Sequence, residues 1–126
     1  MAEKTPAQLS DDAYEAVRAL NHATLSERDG WQYPGHAYST VANLSALAGG
    51  LPQALGQLES LIGRLEDADR LKSDKGPEDL PSRLIDFHGA MGDAIRQAHA
   101  LYKALDRAHQ ALGPLAYADH SSDGEG

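Results

Sequence analysis

Six histidines stand in this chain of 126 residues. A neutral imidazole is the side chain best suited to ligate a transition metal or exchange protons near neutral pH. Helical spacing places His22, His36 and His109 toward one end of a bundle, with Trp31, Tyr33, Tyr38 and Asp106 gathered there. Asp106 stands three residues before His109, about one helical turn, where a carboxylate can orient an imidazole. This end, with Trp31, Tyr33, His36, Asp106 and His109, is the candidate ligand site, and His22, His36 and His109 are the candidate metal ligands. His88 cannot join them, because three heptads separate it from His109, about 31 Å at 1.5 Å per residue.

Carboxylates offer a second chemistry. Glu66-x-x-Asp69, with Glu59 seven residues before Glu66, resembles half of the acidic helix motif of the all-α nucleotide pyrophosphohydrolases of the MazG type. The resemblance implies a magnesium ion held by a second acidic pair on the following helix, where Asp86 and Asp93 stand. Magnesium favours an octahedron of oxygen ligands, so a lone acidic helix face does not suffice. No phosphate-cradling glycine loop, no His-Glu-x-x-His and no serine elbow occurs. No cysteine is present, which removes disulfides, thiolate catalysis and cysteine-ligated zinc. No cofactor is expected.

These groups ride on helices written in two apolar ladders. Ala37, Val41, Leu44, Ala48, Leu51, Leu55, Leu58, Ile62 and Leu65 form one; Leu84, His88, Met91, Ile95, Ala98, Tyr102, Leu105, His109 and Leu112 form the other. Steps alternating between four and three residues put each ladder on one side of a helix that packs in coiled-coil fashion. If the chain turns between Leu65 and Leu84, the rungs meet in antiparallel order, Ile62 with His88, Leu55 with Ile95 and Ala48 with Tyr102. Small rungs then face large ones, as a close-packed seam requires. The expected fold is all-α, a three-helix bundle with a short N-terminal helix packed on a long antiparallel hairpin.

The first helix is expected to open at Ser10 and to stop at Asp29-Gly30. The second runs from Pro34 or Ala37 to Leu71, bending at Gly49-Gly50 and Pro52. The third begins at the prolines or Ser82 and ends at Gly113-Pro114. Residues 1–9 read as a flexible N-terminus, 10–113 as a single helical bundle domain and 114–126 as a disordered tail.

Beside the seam runs a further apolar stripe, Leu47, Ala54, Leu61 and Ala68 on the second helix and Phe87, Ala94, Leu101 and Ala108 on the third. Helix 1 is long enough to cover this groove only to about Leu55, which leaves Leu58, Leu61, Phe87 and Met91 as a partner-binding patch. The sequence therefore points to a non-catalytic interaction or regulatory protein, a homodimer or the partner of another helical protein. The alternative is a small metal-dependent helical enzyme or metal binder, of the MazG type or histidine-based. A net charge of −8, with 19 acids against 11 scattered bases, argues against direct nucleic-acid binding. The start MAEKTPAQLSDD lacks a signal-peptide pattern and no long apolar run occurs, so no membrane association and a cytoplasmic location are expected.

Two long antiparallel helices with a tryptophan-bearing turn resemble the WXG100 family of small secreted helical proteins, dimeric partners of secretion systems. The matching tripeptide here is Trp31-Gln32-Tyr33, without the family's glycine, and it joins helix 1 to helix 2 instead of lying at the hairpin tip. Ser121 stands four residues after Tyr117, where the family's export pattern has an acid. The resemblance is one of general helical shape.

Overall fold

The computed structural model describes residues 2–25 and 31–119. The expected break at Asp29-Gly30 and the tail from His120 onward lie outside the described residues. The fold is all-α, with α1 (Pro6–Ala23), α2 (Pro34–Asp67) and α3 (Leu80–Leu112). The chain divides into two compact units, Met1–Ala37 with Leu115–Gly126, and Tyr38–Pro114. No helix among the described residues is long and apolar enough to cross a membrane.

α1 opens at Pro6, a full turn before the expected Ser10 and inside the span 1–9 read as flexible. The reason is local chemistry. The Thr5 hydroxyl accepts the Gln8 backbone N–H at 3.1 Å, and the Gln8 side chain accepts the Thr5 N–H at 2.8 Å. This reciprocal capping box satisfies two of the free amides at the helix start, and Pro6 brings a φ already suited to the first position. Ser10 lies inside the helix, its hydroxyl donating back to the Ala7 carbonyl. No residue of α1 is buried.

In the second unit, α2 and α3 form the antiparallel hairpin that the ladders predict, in the predicted register. His88 reaches both Glu59 and Glu66, which straddle its expected partner Ile62. Tyr38 stacks on His109 with ring centroids 4.2 Å apart, and Tyr102 lies against Gly49, next to Ala48. α2 continues through Gly49-Gly50 and Pro52 without a break. It ends four residues before the expected Leu71. The Arg70 N–H donates to the Leu65 carbonyl and the Asp69 N–H to that of Glu66, with Asp69 at φ 57°. This is a Schellman cap with aspartate in the left-handed position that glycine usually fills.

The turn is held by side chains. The Ser73 hydroxyl donates to the Asp79 carboxylate, which also takes two bonds from the Arg83 guanidinium, at 2.7 and 3.2 Å. The Arg83 bonds, with that of Ser73 behind them, hold the Asp79 carboxyl below the usual carboxylate range. Gly76 takes φ 108°, which L side chains rarely adopt, and so lets the chain reverse toward α3.

Within the hairpin the rungs of α2 from Val41 to Leu65 are buried or half-buried, with Leu58 as the exception. Ser45, off the ladder, is buried together with Ala48 and Ala98, whereas Leu58, on the ladder, is 49% exposed. At Gly49 a Cβ would lie 3.0 Å from Cδ1 and Cε1 of the Tyr102 ring, so a side chain there makes the ring give by a few tenths of an ångström. Gly50, one residue on, would place a Cβ in open space. Gly50→Ala is expected to raise stability by about 0.5–1 kcal/mol through helix propensity. Gly49→Ala is expected to lose that gain to displacement of Tyr102, at a cost of about 1–3 kcal/mol. Thermal denaturation of the two variants beside the parent checks both; equal stabilisation by both would refute the close contact.

Candidate functional site

The apolar flank of the hairpin is the stripe beside the seam: Leu47, Ala54 and Leu61 stand about 140° around α2 from Gly49 and Glu59, which meet α3, at 3.6 residues per turn. Leu47, Leu58, Leu61 and Leu101 are 44%, 49%, 44% and 48% exposed. Phe87, Met91 and Ala94 are half-buried beside them. Since α2 and α3 are antiparallel, the flank holding Leu47 and Leu61 and the flank holding Phe87 and Leu101 lie on the same side of the hairpin. The four residues expected to bind a partner, Leu58, Leu61, Phe87 and Met91, thus belong to one exposed or half-exposed side.

Of the histidines expected to share an end, His36 and His109 are engaged in local structure. In the first unit, the His36 Nδ1 accepts backbone N–H groups from Gln32 at 2.9 Å and Tyr33 at 3.1 Å, which closes the chain into the start of α2. The Tyr33 ring lies edge-on to His36 at 5.5 Å and to Tyr117 at 4.9 Å, so the aromatic loop and residue 117 pack together. Trp31 is half-buried in the same unit and His22 is exposed on α1. In the second unit, His109 stacks on Tyr38, and the Asp106 carboxylate takes its hydrogen bond from the Gln110 side chain at 2.8 Å. The expected orientation of His109 by Asp106 is therefore replaced by a ring stack and an i,i+4 bond. Among the described residues no three His, Cys, Asp or Glu side chains stand where they could hold a metal ion.

The acids of α2 also have a different occupation from the one their spacing suggested. His88 Nδ1 lies 2.9 Å from Glu59 Oε2 and Nε2 lies 3.1 Å from Glu66 Oε1. A carboxylate only accepts, so both ring nitrogens must donate, and the imidazole is held as its cation. The hydrogen bond to Glu59, then that to Glu66, pushes the His88 pKa above its ordinary value against a partial desolvation that lowers it. Asp69 has left the helix, and Asp93 pairs with Arg96. The half-motif resembling the pyrophosphohydrolases is thus spent on a cross-hairpin ion pair and a helix cap. The bridge was within reach of the sequence: Glu59 and Glu66 lie three residues before and four after Ile62, the rung expected opposite His88.

Comparison with known protein families, with curated proteins and with solved structures gives no match.

The sign of the pH dependence follows from the raised His88 pKa. Its stabilising contribution is fully present below the unfolded value of about 6.5 and is lost as pH rises through the higher folded value. The hairpin is expected to melt at a higher temperature at pH 6 than at pH 9, and His88→Gln is expected to flatten that difference. Melting curves of both proteins at the two pH values check it; an unchanged slope in His88→Gln would assign the dependence to other groups.

Proposed function

We propose that this protein is a non-catalytic helical interaction or regulatory protein that docks the apolar flank of its hairpin onto another helical chain, either its own copy or a different one. One observation carries the reading. In the unit Tyr38–Pro114 the fully buried residues are Ser45, Ala48 and Ala98, while leucines on one flank stay about half exposed. A helix pair with one open apolar side needs a further layer to shield it. Leu58 and Leu61 would serve as anchors between Phe87 and Met91, with each half-covered leucine contributing on the order of 1 kcal/mol when it leaves water completely. Polar and charged rims, Gln57 and Arg64 on α2 and Arg83 and Gln97 on α3, would set partner orientation.

The test uses two readings on the purified chain, its mass by light scattering and its binding of an apolar dye such as ANS. An available flank gives either an assembly larger than one chain or strong dye binding by the monomer. Leu58→Asp and Leu61→Asp, at exposed positions where the helix tolerates them, are expected to abolish whichever signal the parent shows while leaving far-ultraviolet circular dichroism unchanged. A monomer that binds no dye, and that the two substitutions do not alter, would sink the proposal.

A further inference from the structure

We infer that His88 is a proton-operated clasp between α2 and α3: protonated, it holds both Glu59 and Glu66, and on losing its proton it keeps Glu59 and releases Glu66. The clasp lies within the hairpin and needs no partner, so it is independent of the docking flank.

Glu59 and Glu66 stand seven residues apart on α2, about 10.5 Å at 1.5 Å per residue. That span brackets one imidazole, whose Nδ1 meets Glu59 at 2.9 Å and whose Nε2 meets Glu66 at 3.1 Å. These two carboxylates are the charged groups that α2 turns toward the ring. On α3 the residues one turn away, Leu84, Ile85, Met91 and Gly92, carry no charge, and the neighbouring Phe87 ring lies edge-on at 5.3 Å.

A neutral imidazole has one N–H and one lone pair. Between two acceptors it donates to one, and its lone pair then points at an oxygen of the other, so one of the two contacts turns repulsive. Shelter decides which is kept. The Glu59 side chain is 30% exposed and holds the shorter bond, whereas Glu66 is 43% exposed and reaches water by rotating its side chain. The neutral ring therefore carries its hydrogen on Nδ1, and Glu66 swings into solvent. Glu66 belongs to the last turn of α2, and its carbonyl accepts the Asp69 N–H in the helix cap. Releasing its side chain unties this end of α2 from α3, so the cap loosens while the seam at Ala48 is untouched. With the His88 pKa raised, the clasp is closed below about 6.5 and opens as pH climbs through the higher folded value.

Two substitutions separate a clasp from a simple ion pair. Glu66→Gln offers an amide N–H to the lone pair of a neutral Nε2, so it holds the clasp shut without a proton. His88→Gln has no proton to lose and stays open at every pH. The cap is read by hydrogen exchange of the Ala68, Asp69 and Arg70 amides, which donate to Arg64, Glu66 and Leu65, measured by nuclear magnetic resonance on the full chain. From pH 6 to pH 9 the protection of these amides in the parent is expected to fall about two- to fivefold, the range of a partly exposed ion pair, with amides beside Ala48 unchanged. Glu66→Gln is expected to show no such fall, and His88→Gln to show the parent's pH 9 protection at both pH values. Nitrogen shifts of the ring are expected to give the Nδ1–H tautomer at pH 9. A neutral ring protonated on Nε2 would overturn the release of Glu66. A Glu66→Gln cap that loses protection with pH as the parent's does would overturn the clasp itself.

Discussion

Two helices laid side by side touch along one line, and every other feature of the hairpin answers to that constraint. A side chain in the seam is covered by its own helix and one neighbour, so a large residue keeps part of its surface in water. Enclosure is complete only where the side chain is short. Ala48, Ala98 and Ser45 are the buried residues of the second unit, and no large side chain among the described residues is fully buried. A leucine gains its 1.5–3 kcal/mol in proportion to the area it hides, so a two-helix seam realises only part of what its leucines offer. The unrealised remainder is spread along the flank of Leu47, Leu58, Leu61 and Leu101.

The sequence made the helices and their pairing legible because periodicity depends only on which residues are apolar. It was less informative wherever a small or polar residue decided the geometry. Ser45 is the main instance: counting apolar types leaves it out of the core, yet it is buried with Ala48, while Leu58, on the ladder, is about half exposed. Gly49 is another, since the Tyr102 ring lies on its backbone and a hydropathy pattern does not register an absence of side chain as an attraction. The start of α1 was misplaced for a related reason. Three acids after Ser10 look like a helix beginning, yet Thr5 and Gln8 satisfy the free amides one turn earlier, and hydrogen bonds made outweigh dipole preferences of a few tenths of a kcal/mol. The end of α2 was misread because the left-handed cap position holds Asp69, not glycine.

The site residues show the same division. Spacing alone makes legible that Leu58 and Leu61 are exposed while Phe87 and Met91 are half-buried on the hairpin. The polar candidates were not legible, because a histidine or carboxylate takes its role from the nearest complementary group. His36 caps backbone amides, His109 stacks on Tyr38, and Glu59 and Glu66 go to His88. In each of these cases the polar group is engaged by a neighbour within the chain.

The His88 bridge also supplies what an apolar ladder lacks, a unique register. Leucine and alanine rungs would tolerate a slip of one heptad with modest loss, since each layer still meets an apolar partner. The imidazolium would not. In the native register Glu59 and Glu66 lie on either side of it and both ring nitrogens are satisfied. A slip one way sets His88 between Pro52 and Glu59, and the other way between Glu66 and Ser73. Each leaves one ring nitrogen without a carboxylate and so forfeits a charge-assisted hydrogen bond. A polar residue placed among apolar rungs lowers the gain from burial and raises the penalty for every wrong alignment, a trade known from single polar core positions in coiled coils.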